Sequence, residues 1–317
     1  MGREYSPDPQ FYSCFDFSIR STLALPEMHA ADPAGAPVVQ IRIDALPERL
    51  PGGQDSGQGL QIAGDIVQLN VPETARYRVR GGCEILVHPL PGAAPRNVRL
   101  FLLGSALGIL CHQRGLLLLH ANAVVADGAA FAFAGESGAG KSTLAAHFQR
   151  AGYPILCDDV CAVRLDAAGA PRAWPGLPRL KLWGDAATAF GYDRASLEPA
   201  IEGLDKYHVP LAAPPAAGPV PLRRLYLLSR AAPGEAGSPV RLRGAAAMEA
   251  ILSQTYRAHY LIPMGLAAPH FRHCAALLQQ IEVFAAPRAW GFGVFAREAE
   301  RLERHMTQDQ LQSEDAA

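Results

Sequence analysis

One run constrains this chain more than any other: Gly135-Glu136-Ser137-Gly138-Ala139-Gly140-Lys141-Ser142. It satisfies G-x-x-x-x-G-K-[ST] at every fixed position. The pattern needs its glycines because backbone N–H groups must close round phosphate oxygens without a Cβ in the way. The apolar run 129–134 before it reads as a strand. Residues 141–150 after it read as a helix, stopped by Gly152 and Pro154. Strand, loop and helix in that order bring the positive end of the helix dipole to the anion. Lys141 is then placed to reach the β- and γ-phosphates, and the Ser142 hydroxyl to join a Mg²⁺ shell. The expected ligands are ATP and Mg²⁺, on residues Gly135 through Ser142 with Thr143 following.

The flanks narrow the fold further. Residues 116–125 read as a strand, and Asp127-Gly128 joins them to 129–134, a strong hairpin signal. The strand entering the loop is thus the second arm of a hairpin, whereas most phosphate-loop proteins place it in a parallel sheet. A β-turn-β follows at 155–165, and Asp166 to Gly169 turns into 172–174. A mixed, antiparallel-rich sheet argues against adenylate-kinase-like and motor-type NTPases. The expected class is α/β with α+β character.

Asp158-Asp159 end an apolar strand 17 residues after Lys141. A carboxylate there can hold Mg²⁺ directly or through water. A second can accept the proton of an attacking hydroxyl. Adjacent residues on a strand point to opposite faces, so both reach one site only over irregular backbone. His120 precedes the hairpin turn and, if the two arms pair, lies beside the loop's mouth. There it could orient a carboxylate or tune its proton affinity. A half-buried histidine with a backbone partner is the plainer alternative.

Elsewhere, residues 1–95 alternate apolar and polar in short runs (15–20, 38–43, 75–80) separated by Pro and Gly turns, including a flexible loop at 51–59. They read as a β-rich N-terminal subdomain, with 96–317 as the phosphate-loop domain. Helical periodicity is expected over 97–113, 245–260, 270–284 and 297–306, a strand over 222–228, Pro-rich loops over 209–221 and a frayed end over 310–317. Arg179 and Lys181 alternate on a strand after the aspartates, placed for a γ-phosphate, an acidic substrate or plain solvent. Lys206 could close over a transferred phosphoryl group or sit on the surface. His270 and His273 fall one helical turn apart without a third ligand, which favours a helix surface over a metal site.

Composition excludes some classes. Formal net charge is −1, so no global basic field draws the chain to nucleic acid or an anionic membrane. The most apolar stretch, 98–120, is interrupted by Gly104, Ser105, His112, Gln113 and Arg114, which fits a buried helix and strand rather than a membrane span. The start lacks the apolar core of a signal peptide. The six cysteines, Cys14, Cys83, Cys111, Cys157, Cys161 and Cys274, include no CxxC. They read as reduced core thiols, and the expected compartment is the cytoplasm.

The run from His120 through the phosphate loop to Leu156-Cys157-Asp158-Asp159-Val160 resembles the catalytic core of HPr kinase/phosphorylase, which is similar to the nucleotide domain of phosphoenolpyruvate carboxykinase. The resemblance covers residues 115–185. It implies Asp158 as catalytic base, Asp159 beside Mg²⁺, His120 as the histidine before the loop, and Lys141 and Ser142 as phosphate and metal contacts. Two departures stand out. Thr143 occupies the position where the family carries Glu. The family's Glu-Ile-Arg-Gly-type segment has no counterpart, and residues 175–183 stand in its place. HPr is therefore not the expected acceptor. The whole chain is closest in character to HPr-kinase-related proteins of peptide-biosynthesis clusters, among them lasso-peptide kinases. The opening at 15–27 is similar to theirs.

The resemblance implies an ATP-dependent serine kinase acting on a peptide or protein, with homo-oligomers possible in such a family. A small-molecule kinase of the same fold and a non-catalytic nucleotide sensor are the alternatives. An intact Lys141, Ser142 and aspartate pair speaks against the sensor.

Overall fold

A computed structural model describes residues 5–32, 38–200, 203–211, 218–232 and 236–314. These form two compact units. The first comprises the described residues up to Leu118, the short stretch ending at Leu204, and Tyr256–His273. The second comprises Leu119–Ala200, Asp205–Thr255 and the chain from Cys274 onward. The first unit therefore extends past the boundary expected at residue 95.

In the first unit nine strands form one sheet: β1 (Tyr5–Cys14), β2 (Phe17–Leu23), β3 (His29–Ala30), β4 (Val38–Ile43), β5 (Gln54–Asp55), β6 (Leu60–Ala63), β7 (Ile66–Val71), β8 (Ala75–Arg80) and β9 (Glu84–Pro89). Their spatial order is β3-β1-β2-β4-β9-β8-β7-β6-β5. Alternation fixes which face is buried: on β8, Ala75, Tyr77 and Val79 are fully buried, while Arg76, Arg78 and Arg80 point away. Two expectations are corrected here. The run 15–20 becomes a strand only from Phe17, because Phe15 takes φ +51° in the preceding turn. The loop 51–59 contains the short strand Gln54–Asp55.

The expected helix 97–113 is two α-helices, α1 (Pro95–Phe101) and α2 (Leu107–Gln113), joined by a π-helical stretch at Leu102–Ala106. Tyr77 Oη donates to Val98 O on α1 (2.8 Å), and His112 Nε2 donates to Tyr256 O (2.9 Å). The expected helix surface at His270 is also corrected: that ring is buried, edge-on to His112 with centroids 6.4 Å apart.

The remaining strands are β10 (Leu117–Leu119), β11 (Ala121–Ala126), β12 (Ala129–Gly135), β13 (Ile155–Cys157), β14 (Cys161–Leu165), β15 (Pro171–Trp174), β16 (Arg179–Trp183), β17 (Glu198–Pro199), β18 (Lys206–Pro210), β19 (Val220–Arg230), β20 (Val240–Leu242) and β21 (Glu282–Arg288). The helices are α3 (Lys141–Arg150), α4 (Gly184–Ala189), α5 (Gly244–Ser253), α6 (Ala267–Leu278) and α7 (Phe292–Glu314). Asp127 and Gly128 take φ +48° and +72°, as a type I′ hairpin requires, and pair β11 with β12 from Ala126↔Ala129 to Ala121↔Ala134.

In the second unit's main sheet, strand order runs β14-β15-β19-β12-β11-β13, with β21 also paired to β19 and β20 to β21. β12 is antiparallel to β11 on one edge and parallel to β19 on the other. The sheet is mixed, as expected. Phe148 of α3, Phe133 of β12, Tyr226 of β19 and Phe284 of β21 stack in series at 5.4, 5.1 and 5.5 Å. Such pairs contribute about 0.5–1.5 kcal/mol each beyond their burial. Leu302 and Met306 of α7 complete this core.

Four further expectations change. The strand expected over 116–125 breaks at His120, whose N–H turns to Gln254 O (2.7 Å). The helix expected over 245–260 ends at Ser253, and Arg257 takes φ +54°. The helix expected over 270–284 ends at Leu278, and Glu282–Arg288 is a strand parallel to β19. The last helix is longer than 297–306 at both ends. Part of the loop expected at 209–221 and the tip of the end expected to fray at 310–317 lie outside the described residues. Five cysteines are buried, Cys83 is exposed, and none is joined in a disulfide among the described residues. Among the described residues no helix is long and apolar enough to cross a membrane.

Candidate active site

The phosphate loop leaves β12 at Gly135. A Cβ there would meet Leu228 O of the neighbouring strand at 2.5 Å, and φ is +145°, so only glycine fits. Gly140 begins α3 at φ +78°, where a Cβ would lie 2.8 Å from the Arg288 guanidinium. The helix then runs over Lys141–Arg150, as its sequence predicts. Gln254 Oε1 accepts from Gly135 N (2.9 Å), so one side chain holds the start of the loop and its carbonyl holds His120.

A cleft of about 530 Å³ opens over the loop. Of the expected site residues, His120, Ser137, Gly138, Gly140, Lys141, Ser142, Thr143 and Asp159 line it. Gly135, Glu136 and Ala139 complete the loop behind them. Lys141 Nζ rests on the carbonyls of Gly135 (2.7 Å) and Glu136 (3.1 Å), inside the loop. Burial lowers its proton affinity, and Asp159 and Asp158 partly offset that.

The two aspartates are separated by backbone geometry. Asp159 takes φ +76°, a conformation Asp tolerates better than most residues, and this supplies the irregularity that adjacent carboxylates need. Asp158 is buried. Its Oδ1 accepts from Ser142 Oγ (2.9 Å) and its Oδ2 from the Lys181 backbone N–H (2.8 Å). Burial, then the charge of Asp159, raise its pKa. Asp159 instead faces the cleft. Its Oδ2 receives the Lys181 ammonium at 2.8 Å, and its Oδ1 lies 3.6 Å from His120 Nδ1. Burial pushes its pKa up, but the Lys181 ammonium more than offsets this and holds it well below the usual carboxylate range.

His120 Nδ1 meets Asp159 O at 3.1 Å. A carbonyl only accepts, so Nδ1 carries the proton. Burial, then the charge of Lys141, lowers the pKa of His120 and favours the neutral ring.

Lys206 lines the cleft with its ammonium 5.6 Å from the Trp183 ring centroid. Arg179, two residues before Lys181 on β16, is not among the lining residues. Sequence reasoning missed Gln254 and Arg288. Arg288 is 3 % exposed, donates from its guanidinium to Ala139 O, and leaves Nε buried without a partner among the described residues. Burial lowers its pKa to about 10, so it stays charged at neutral pH. Neither residue stands out in the sequence, because each is brought to the loop from more than a hundred positions away.

Lys141, Lys181, Lys206 and Arg288 line the cleft against the carboxylates of Asp159 and Asp185, an excess of positive charge suited to a polyphosphate. Among the described residues no group of three or more His, Cys, Asp and Glu could enclose a metal ion. Ser142 Oγ and the Asp158 carboxylate, 2.9 Å apart, are hard oxygen donors of the kind Mg²⁺ takes beside phosphate and water. Ser142 lines the cleft, and the buried Asp158 lies behind it.

No protein-family model and no curated protein matches the chain. Among solved structures it is similar to the Hpr(Ser) kinase/phosphatase from Coxiella burnetii, at 12% sequence identity and a TM-score of 0.33, over 63% of this chain and 96% of that one.

Proposed function

We propose that this protein is an ATP- and Mg²⁺-dependent kinase that transfers the γ-phosphoryl group to a serine-type hydroxyl of a peptide or protein. The observation that carries the reading is the cleft itself: the carboxylate of Asp159 lines the same space as Lys141 and Ser142. The motif resemblance to HPr-kinase-related peptide kinases supports the same chemistry, and a cytoplasmic site of action goes with it.

In this reading the loop N–H groups, Lys141 and Arg288 bind the polyphosphate, and bound Mg²⁺ offsets charge on the β- and γ-oxygens. Ser142 and Asp158 supply the metal-side oxygens. Asp159 accepts the acceptor's hydroxyl proton, while Lys181 holds its carboxylate and His120 its backbone carbonyl. These roles exchange the two that the family resemblance assigns to Asp158 and Asp159. The reason is access: Asp159 lines the cleft, whereas Asp158 lies behind Ser142, next to the metal-side hydroxyl that donates to its Oδ1. Lys206 is placed to meet the transferred group or an anionic part of the acceptor.

The test is phosphate transfer from γ-labelled ATP to serine peptides, with HPr alongside. Labelled peptide is expected with Mg²⁺, no useful labelling of HPr, and none of either with Lys141→Ala. Tight ATP binding without transfer to any peptide would leave the sensor. Transfer confined to small hydroxylated molecules would leave the small-molecule kinase.

A further inference from the structure

The cleft has a second chemical character that phosphate binding does not use. Beyond Arg288 its wall continues as Ala289, Trp290, Gly291 and Phe292. Trp290 is 48 % exposed and Phe292 51 % exposed, an apolar pair open to water at the edge of a polar site. Apolar surface in a cleft, beside convergent polar groups, marks a ligand-facing wall.

Its position is fixed relative to the loop. Two atoms of the Trp290 six-membered ring lie 3.8 Å from where a Cβ on Gly140 would stand, so the indole packs beside the start of α3. The Arg230 guanidinium lies 6.0 Å from the indole centroid. Gly291, at φ +116°, turns the chain between the end of β21 and the first residue of α7, which is Phe292. Another aromatic of the cleft, Trp183, sits on the strand whose Lys181 holds Asp159, and it carries Lys206 over its ring. Trp183 therefore belongs to the reacting end, while Trp290 and Phe292 belong to the Gly140 side.

We propose that Trp290 and Phe292 form the platform on which the nucleobase of the bound nucleoside triphosphate stacks, an inference that rests on the nucleotide-binding reading of the loop. Every base has a π-face, so such a platform gives affinity for nucleotides over bare polyphosphate without demanding one base.

The probes are ATP and inorganic tripolyphosphate, each with Mg²⁺, measured by calorimetry and by indole fluorescence on the full chain. Wild type is expected to bind ATP more tightly than tripolyphosphate, and ATP alone to change the Trp290 emission. Trp290→Ala with Phe292→Ala is expected to weaken ATP by about 5- to 150-fold, the span of base–aromatic stacking, and to leave tripolyphosphate affinity unchanged. Trp290→Phe should restore most of the loss, which separates stacking from misfolding. Equal affinity of wild type for the two probes would overturn the proposal. So would an equal loss of both in the double variant, or loss of the ATP preference in Trp183→Ala instead. Failure of both ATP and tripolyphosphate to bind would remove the nucleotide reading, and the platform with it. Failure of the platform alone leaves tripolyphosphate binding intact.

Discussion

At the scale of single residues, the Asp158-Asp159 pair shows how two identical carboxylates acquire different chemistry from one left-handed residue. Asp158 is buried against Ser142 and the Lys181 backbone, and Asp159 is turned to the cleft against the Lys181 ammonium. A proton acceptor works in the chemical step, so its loss lowers turnover more than affinity. Asp159→Asn is expected to keep ATP·Mg²⁺ binding and lose roughly 10²–10⁴ in transfer rate, the usual span for general base catalysis. Asp158→Asn should weaken ATP·Mg²⁺ binding as well as transfer, with partial rescue by added Mg²⁺. Calorimetry beside single-turnover kinetics decides it, and the opposite pattern would return the roles to those implied by the family resemblance. That both aspartates and His120 belong together was legible in the sequence, because they stand at strand ends near a motif with known direction. Which aspartate faces the cleft was not, since it depends on Lys181 approaching from β16.

At the scale of elements, the hairpin, loop and α3 were the most legible part of the chain. Their signals are local: Asp-Gly for the turn, glycines for the loop, Gly152 and Pro154 for the stop. The element most misread was β21. Glu282–Arg288 is a mostly buried strand paired to β19 and β20, and a short apolar run of that kind carries no period of its own. The cost of the misreading was Arg288, which that strand delivers to the loop. The end of α5 was lost for a related reason: the helix stops so that Gln254 can turn both its side chain and its carbonyl to β12 and His120. Gln254→Leu keeps the approximate size and removes the acceptor, leaving the Gly135 N–H buried and unpaired. A loss of about 1–3 kcal/mol in stability is expected, read from urea unfolding, together with weaker ATP binding. Unchanged stability and affinity would show that Gly135 finds another partner.

At the scale of the whole molecule, the first unit should lose stability as pH falls. In the first unit, His112 donates to Tyr256 O. Burial, with smaller contributions from His270 and His259, lowers its pKa to about 4. The ordinary value is 6.5, so below that pH the unfolded chain binds a proton that the folded unit resists. The stability that a neutral His112 preserves is complete above pH 6.5 and is lost progressively as pH falls toward 4. The full loss is roughly 3 kcal/mol, at 1.36 kcal/mol per unit. His112→Gln retains a donor for Tyr256 without a titrating ring. It should flatten the fall in urea midpoint between pH 7.5 and 4.5 for probes in the first unit. An undiminished slope would assign the acid sensitivity elsewhere.

The placement of β12 between β11 and β19 has a consequence for synthesis on the ribosome. Its hairpin partner precedes it in the chain, so one edge can pair at once. The other edge waits for Val220–Arg230, and the guanidinium that steadies Ala139 arrives only with Arg288, about 150 residues after Ser142. At typical translation rates the wait for Arg288 lasts on the order of 7–30 s. Until β19 emerges, an apolar strand ending in the nucleotide loop presents an unpaired edge, the kind of template that favours pairing with another chain. The same arrangement that brings distant residues to the loop thus makes the nascent protein dependent on whatever shields Ala129–Gly135 in the meantime.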